Sequence, residues 1–96
     1  MDIREFIGKG KENGLTASEL SDLLHIPTRD IRREIERLRR SGELIVNEQD
    51  GKGYYYTEDA EELKRQLKRN TNRAMSILVQ NKYLRRKIKE VEDAKQ

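Results

Sequence analysis

Cysteine and tryptophan are absent from this chain of 96 residues, phenylalanine, proline and histidine each occur once, and long apolar runs are missing. Each absence removes a class of function. Without thiols there is no disulfide framework, no thiolate metal site and no cysteine nucleophile, and a reducing compartment such as the cytoplasm is the expected home. The lone His25 has no second histidine or cysteine to complete a site, so no metal is expected. Ser18, Ser21, Asp22 and His25 invite a search for a catalytic triad, but they fall on one short predicted helix and its turn, with no evident oxyanion site. The glycines between Gly8 and Gly14 are not followed by Gly-Lys-Ser or Gly-Lys-Thr at phosphate-loop spacing. The expectation is a protein that is not an enzyme and has no catalytic residues, cofactor or small-molecule substrate. No segment approaches the roughly 20 apolar residues that span a bilayer, and no secretory signal is recognisable, so no membrane association is expected.

What is abundant is charge: 41% of the residues are Asp, Glu, Lys or Arg, against 33% hydrophobic. So few apolar residues build only a small core, which excludes a large enclosed substrate cavity and favours a binding module. The net charge of +3 hides an asymmetry. Residues 1–57 carry ten basic and eleven acidic side chains, whereas residues 58–96 carry eleven basic and seven acidic. Within Leu63 to Lys89 there are ten Lys or Arg and no carboxylate.

The densest cationic cluster is Arg29, Arg32, Arg33, Arg37, Arg39 and Arg40, interleaved with Ile31, Ile35 and Leu38. On a helical wheel Ile35 and Leu38 fall within about 40° of Ile31, Arg29, Arg33 and Arg40 lie near the opposite pole, and Arg32 and Arg37 flank them. Asp30, Glu34 and Glu36 stand at spacings that allow pairing with these arginines. Arg39, nearer the apolar edge, is assigned a structural role.

The elements around this helix follow from local signals. Ile3, Phe6 and Ile7 predict a short helix over 2–13, weakened by Gly8 and Gly10. Thr16 with Glu19 forms a capping box that opens a helix with Leu20, Leu23 and Leu24 on its apolar edge. Pro27 forces a break, so His25-Ile26-Pro27 is the turn, and Thr28 is expected to cap the arginine helix, which Gly42 stops. Residues 43–47 and 54–57 read as two strands of a hairpin, with Tyr54 and Tyr56 on one face and Tyr55 on the other.

From residue 58 onward the pattern is helical again. Leu63, Leu67, Asn70, Ala74, Ile77, Asn81, Leu84, Ile88 and Val91 are separated alternately by four and three residues, a heptad seam. A helix of about 35 residues would extend roughly 50 Å and needs a partner for its outer part. Self-association through Leu67, Ala74, Ile77, Asn81, Leu84 and Ile88 is expected, giving a homodimer. Orientation is left open: acidic ends and a basic middle lean towards an antiparallel pair. Asn70-Thr71-Asn72 is a candidate kink.

Capped helix, three-residue turn, cationic helix and hairpin, carried by residues 15–24, 26–40 and 53–57, resemble the winged helix-turn-helix fold. The wing ending in Gly53-Tyr54-Tyr55, followed by Asp59-Ala60-Glu61-Glu62-Leu63 and a long basic helix, is similar to small winged-helix proteins encoded in phages and prophages of Gram-positive bacteria. The expected class is mainly α with a small β-hairpin: a winged domain over 1–57 and a long basic C-terminal helix over 58–96 that serves oligomerisation. His25 departs from the pattern, since that turn position often carries glycine, and predicts strain there. The resemblance implies double-stranded DNA as partner, in the cytosol of a bacterium or phage-infected host. The helix after the turn would enter the major groove with Thr28, Arg29, Arg32 and Arg33 foremost. Arg29 and Arg33 are assigned to base edges, and Arg32, Arg37, Arg40 and wing residue Lys52 to phosphates. A transcriptional regulator of repressor type follows most directly. The alternatives are a phage-type replication or accessory DNA-binding protein and a module docking an acidic protein partner.

Overall fold

The computed structural model describes residues 2–95. Helices α1 (Ala17–Leu24) and α2 (Thr28–Arg40) precede strands β1 (Ile45–Asn47) and β2 (Tyr54–Tyr56), and helix α3 (Ala60–Ala94) follows. The architecture is a winged helix-turn-helix with a long C-terminal helix. By contacts the chain divides into two compact units, Met1–Gln66 and Leu67–Gln96.

The expected first helix is instead two 3-10 turns, Ile3–Phe6 and Lys11–Asn13. The reason lies between them. Gly8 and Gly10 leave the helix to bond β2: the Tyr56 amide donates to Gly8 O at 2.8 Å and the Gly10 amide donates to Tyr56 O at 2.9 Å. Farther along, Leu15 and Tyr54 exchange both backbone bonds, at 3.1 and 2.7 Å. Thus β2 is paired on both edges, with β1 on one side in the antiparallel register Ile45↔Tyr56, Val46↔Tyr55, Asn47↔Tyr54.

Helix α1 begins as its sequence dictates. Thr16 Oγ1 accepts from the Glu19 amide and the Glu19 carboxylate accepts from the Thr16 amide, both at 3.0 Å. It ends at His25, which adopts the left-handed conformation (φ 58°, ψ 41°) and donates its amide to Ser21 O. The strain expected at this non-glycine turn residue is present. Two expectations fail. Leu23 is 55% exposed, since α1 turns Ala17, Leu20 and Leu24 inward. Thr28 does not cap α2: Pro27 holds the N-cap position, its carbonyl accepting from the Asp30 and Ile31 amides, and Thr28 is the first helical residue. At the far end the Gly42 amide donates to Arg39 O and the Glu43 amide to Leu38 O, with Gly42 at φ 100°, which closes α2 in a Schellman motif.

The core of the first unit gathers Ile3, Ile7, Leu20, Leu24, Ile31, Ile35, Leu38 and Ile45, with Tyr54 and Tyr56 packed at its rim. Burying each of the large aliphatics stabilises by roughly 1.5–3 kcal/mol. Val46 and Tyr55 face the other way and are equally buried. There the Tyr55 hydroxyl and Thr57 Oγ1 donate to the Glu62 carboxylate, and Gln66 Oε1 accepts from the Asn47 amide at 3.0 Å. Burial, with Glu62 alongside, pushes the Tyr55 hydroxyl far above its ordinary pKa, so it stays protonated and donating. Arg65 adds a 2.7 Å ion pair to Glu48. Asn70-Thr71-Asn72 lies within α3 with no break in the helix.

Arg39 is structural, as its wheel position indicates. Its Nε donates to Ile45 O at 2.9 Å and its guanidinium lies 5.5 Å from the Tyr54 ring centroid. Arg39→Ala should therefore lower stability by about 1.5–3 kcal/mol, read from urea denaturation midpoints. Gly53 is more constrained still. Its φ is +86°, and a Cβ there would stand 2.1 Å from the Leu15 carbonyl carbon, whereas Gly51, at φ +88°, has open space around it. Gly53→Ala should cost upwards of about 3 kcal/mol and Gly51→Ala about 1 kcal/mol, a difference that the same denaturation curves would resolve.

Candidate nucleic-acid interface

Because Ile31, Ile35 and Leu38 point into the core, α2 presents its remaining faces to solvent. The Arg29 and Arg33 side chains, 79% and 75% exposed, stand on either side of Asp30, at 3.9 and 3.7 Å from its carboxylate. Contacts this long and this wet hold little energy, so both guanidinium groups can exchange Asp30 for another acceptor at small cost. Arg37 is held more firmly. It forms a two-nitrogen contact with Glu34, which lowers the Glu34 pKa and raises that of Arg37. Glu36 pairs with Arg39 at 3.2 Å, one of the partners its spacing allows. The side chains of Arg32, Arg40 and Lys52 make no ion pair among the described residues.

Arg32 occupies the side of α2 that faces the wing. It lines a groove of about 330 Å³ together with Thr16, Ser18, Asn47, Gln49 and Gly51. The double pairing of β2 creates this groove, because it draws the hairpin against residue 15 and hence against the start of α1. Ser18, Asn47 and Gln49 were not legible as groove residues in the sequence. Ser18 carries a weak signal, a hydroxyl in the first turn of a capped helix, while Asn47 and Gln49 become neighbours of Arg32 only through the hairpin.

Lys52 does not line the Arg32 groove. It borders an adjoining cleft with Lys11, Glu12, Gly14, Glu19 and Gly51. The loop that carries it is tethered: Lys11 pairs with Asp50 at 2.5 Å, and Asp50 Oδ1 accepts from the Lys52 amide at 3.1 Å. The contact with Lys11 lowers the Asp50 pKa and raises that of Lys11. Thr28, half-buried, sits at the beginning of α2 beside Arg29, and Arg40 is exposed at its other end. The structure thus brings Thr28, Arg29, Arg32 and Arg33 onto the first two turns of one helix, keeps Arg37 compensated by Glu34, and sets Lys52 on the neighbouring wing.

The seam residues lie elsewhere. Leu67, Ile77, Leu84 and Ile88 are 50–65% exposed, Ala74 is exposed and Asn81 is half-buried. Among the described residues no helix is long and apolar enough to cross a membrane, and no group of acidic, histidine or cysteine side chains could hold a metal ion.

No curated protein and no solved structure matches the chain. A sequence profile described as an HTH domain matches residues 1–55, more than half of the chain, from the first 3-10 turn into the second wing strand. The capped α1, the left-handed turn at His25, the cationic α2 and the hairpin are therefore the parts of a DNA-binding helix-turn-helix domain, and the chain belongs to the HTH domain family.

Proposed function

We propose that this protein is a transcriptional regulator of repressor type that binds double-stranded DNA as a homodimer. The observation that carries the reading is the exposed guanidinium pair of Arg29 and Arg33 on the opening turns of α2, held only by long contacts to one carboxylate. Such a pair can donate two hydrogen bonds each to guanine O6 and N7 in the major groove. Arg32, Arg40 and Lys52, which have no carboxylate partner among the described residues, are suited to phosphates. Arg37 joins them by trading Glu34 for a phosphate. Occupying a site is sufficient for repression, and no effector is needed for it. The wing ending in three tyrosines, followed by an acidic helix start and a long basic helix, supports kinship with winged-helix proteins of phages and prophages. Dimerisation rests on the exposed apolar seam of α3, whose partner would be the same seam of a second copy.

Binding to duplexes selected from a random pool tests the DNA assignment. Arg29→Ala and Arg33→Ala should each cost about 1–3 kcal/mol and relax the base preference, while Arg32→Ala, Arg40→Ala or Lys52→Ala should make the log-log salt slope shallower by about 1. Unchanged affinity in both Arg29→Ala and Arg33→Ala would remove α2 as the reader. Ile77→Asp should convert dimer to monomer in sedimentation velocity, and a wild type already monomeric at high micromolar concentration would end the dimer proposal.

A further inference from the structure

We infer that the α3 helices of two copies pair in parallel and in register, through the layers Leu67, Asn70, Ala74, Ile77, Asn81, Leu84, Ile88 and Val91. The inference rests on the dimer proposed above and settles its geometry. All eight layers belong to the second compact unit, Leu67–Gln96. Its large apolar side chains lie open: Leu67, Ile77, Leu84 and Ile88 are each at least 50% exposed and Val91 is 44% exposed.

The alternation of four and three residues puts Leu67, Ala74, Asn81 and Ile88 at one set of core positions and Asn70, Ile77, Leu84 and Val91 at the other. In a parallel, in-register pair every layer meets its own copy, so each asparagine carboxamide faces another carboxamide that can both donate to it and accept from it. The flanking residues then face each other across the seam. Arg73 meets the partner's Leu78, Gln80 the partner's Arg85 and Lys87 the partner's Glu92. None of these three pairs repels and the last attracts, although the unit is strongly basic. The cations that remain, Lys68, Arg69, Lys82, Arg86 and Lys89 among them, fall away from the seam.

Antiparallel pairing fares worse in each register. Only one register sets asparagine against asparagine, Asn70 opposite the partner's Asn81. It places Lys64 against the partner's Arg85 and sends Ile88 and Val91 onto Leu63 and Ala60. Those two residues belong to the first unit, where Leu63 is already half-buried. Sliding by one heptad either way sets Asn70 opposite Ile88 or Ala74 and Asn81 opposite Ile77 or Leu63, so that neither asparagine meets an asparagine across the seam. The lean towards an antiparallel pair drawn from the acidic ends is thereby reversed, because charge at the flanking positions acts at closer range than charge at the ends.

The absence of cysteine makes the test clean. Leu67→Cys and Leu84→Cys keep both asparagines and are introduced one at a time into the full chain, then oxidised with glutathione disulfide. Parallel pairing brings each substituted position within disulfide reach of its own copy, so each variant should link to itself, and a co-refolded mixture should contain no 67-to-84 link by mass spectrometry. A second measurement does not depend on cysteine: Glu92→Lys should weaken dimerisation several-fold, and adding Lys87→Glu should restore it. A dimer that forms only the mixed 67-to-84 link, that links to itself at one position alone, or that shows no coupling between residues 87 and 92 overturns the parallel register. An assembly of more than two chains in sedimentation equilibrium overturns the two-stranded pairing. A monomer is a different result, since it removes the dimer itself.

Discussion

The fold depends on the backbone pairing between β2 and the segment ahead of α1. A two-stranded hairpin is marginal by itself. Here Leu15, Gly10 and Gly8 bond the free edge of β2, which converts the hairpin into part of a small three-stranded arrangement and leaves no open edge on that strand. The close passage of Gly53 past Leu15 makes this possible, because any side chain at residue 53 would collide with the Leu15 backbone. Everything near the candidate interface follows from that contact: the wing is held beside the start of α1, and Arg32 acquires a groove.

On its other face the hairpin is closed by the opening turns of α3. Tyr55 is buried with its hydroxyl on Glu62, Asn47 donates its amide to Gln66, and Glu48 pairs with Arg65. The three tyrosines thus divide their work by alternation along the strand. Tyr54 and Tyr56 pack towards the helical core and Tyr55 towards α3. This also explains how so polar a chain sustains a fold: three of its five aromatic residues sit on one three-residue strand that is covered from both sides.

The arginine helix is less uniformly cationic than its composition. Asp30, Glu34 and Glu36 sort its guanidinium groups into distinct states: loosely shared at Arg29 and Arg33, firmly paired at Arg37, built into the structure at Arg39. A carboxylate that holds an arginine by long, exposed contacts can give it up to a stronger anion at small cost. One that binds through two nitrogens competes with the ligand. The spacing of acids along α2 therefore grades how readily each arginine can be given to a phosphate or base.

Much of this was legible in the residues. The capping box at Thr16 and Glu19, the break at Pro27, the stop at Gly42 and the inward face of Ile31, Ile35 and Leu38 are local signals, each set by neighbours within a turn of helix, and they fixed α1, the turn and α2. The exposed arginines follow from the same periodicity. What was not legible involves residues distant in sequence. Phe6 and Ile7 suggested a helix through residue 13, yet the unpaired edge of β2, more than forty positions away, recruits Gly8 and Gly10 as strand partners and breaks it. Leu23 looked like core until α1 was oriented against α2. Ser18, Asn47 and Gln49 joined Arg32 only when the hairpin was drawn in. Sequence alone determined α1, the turn, α2, the wing hairpin and the long C-terminal helix, and which face of α2 carries charge, because those depend on short-range sterics and hydrogen bonds. The tertiary structure decided which polar residues share a groove and which segment closes the free edge of β2, because those depend on backbone groups finding partners across the fold.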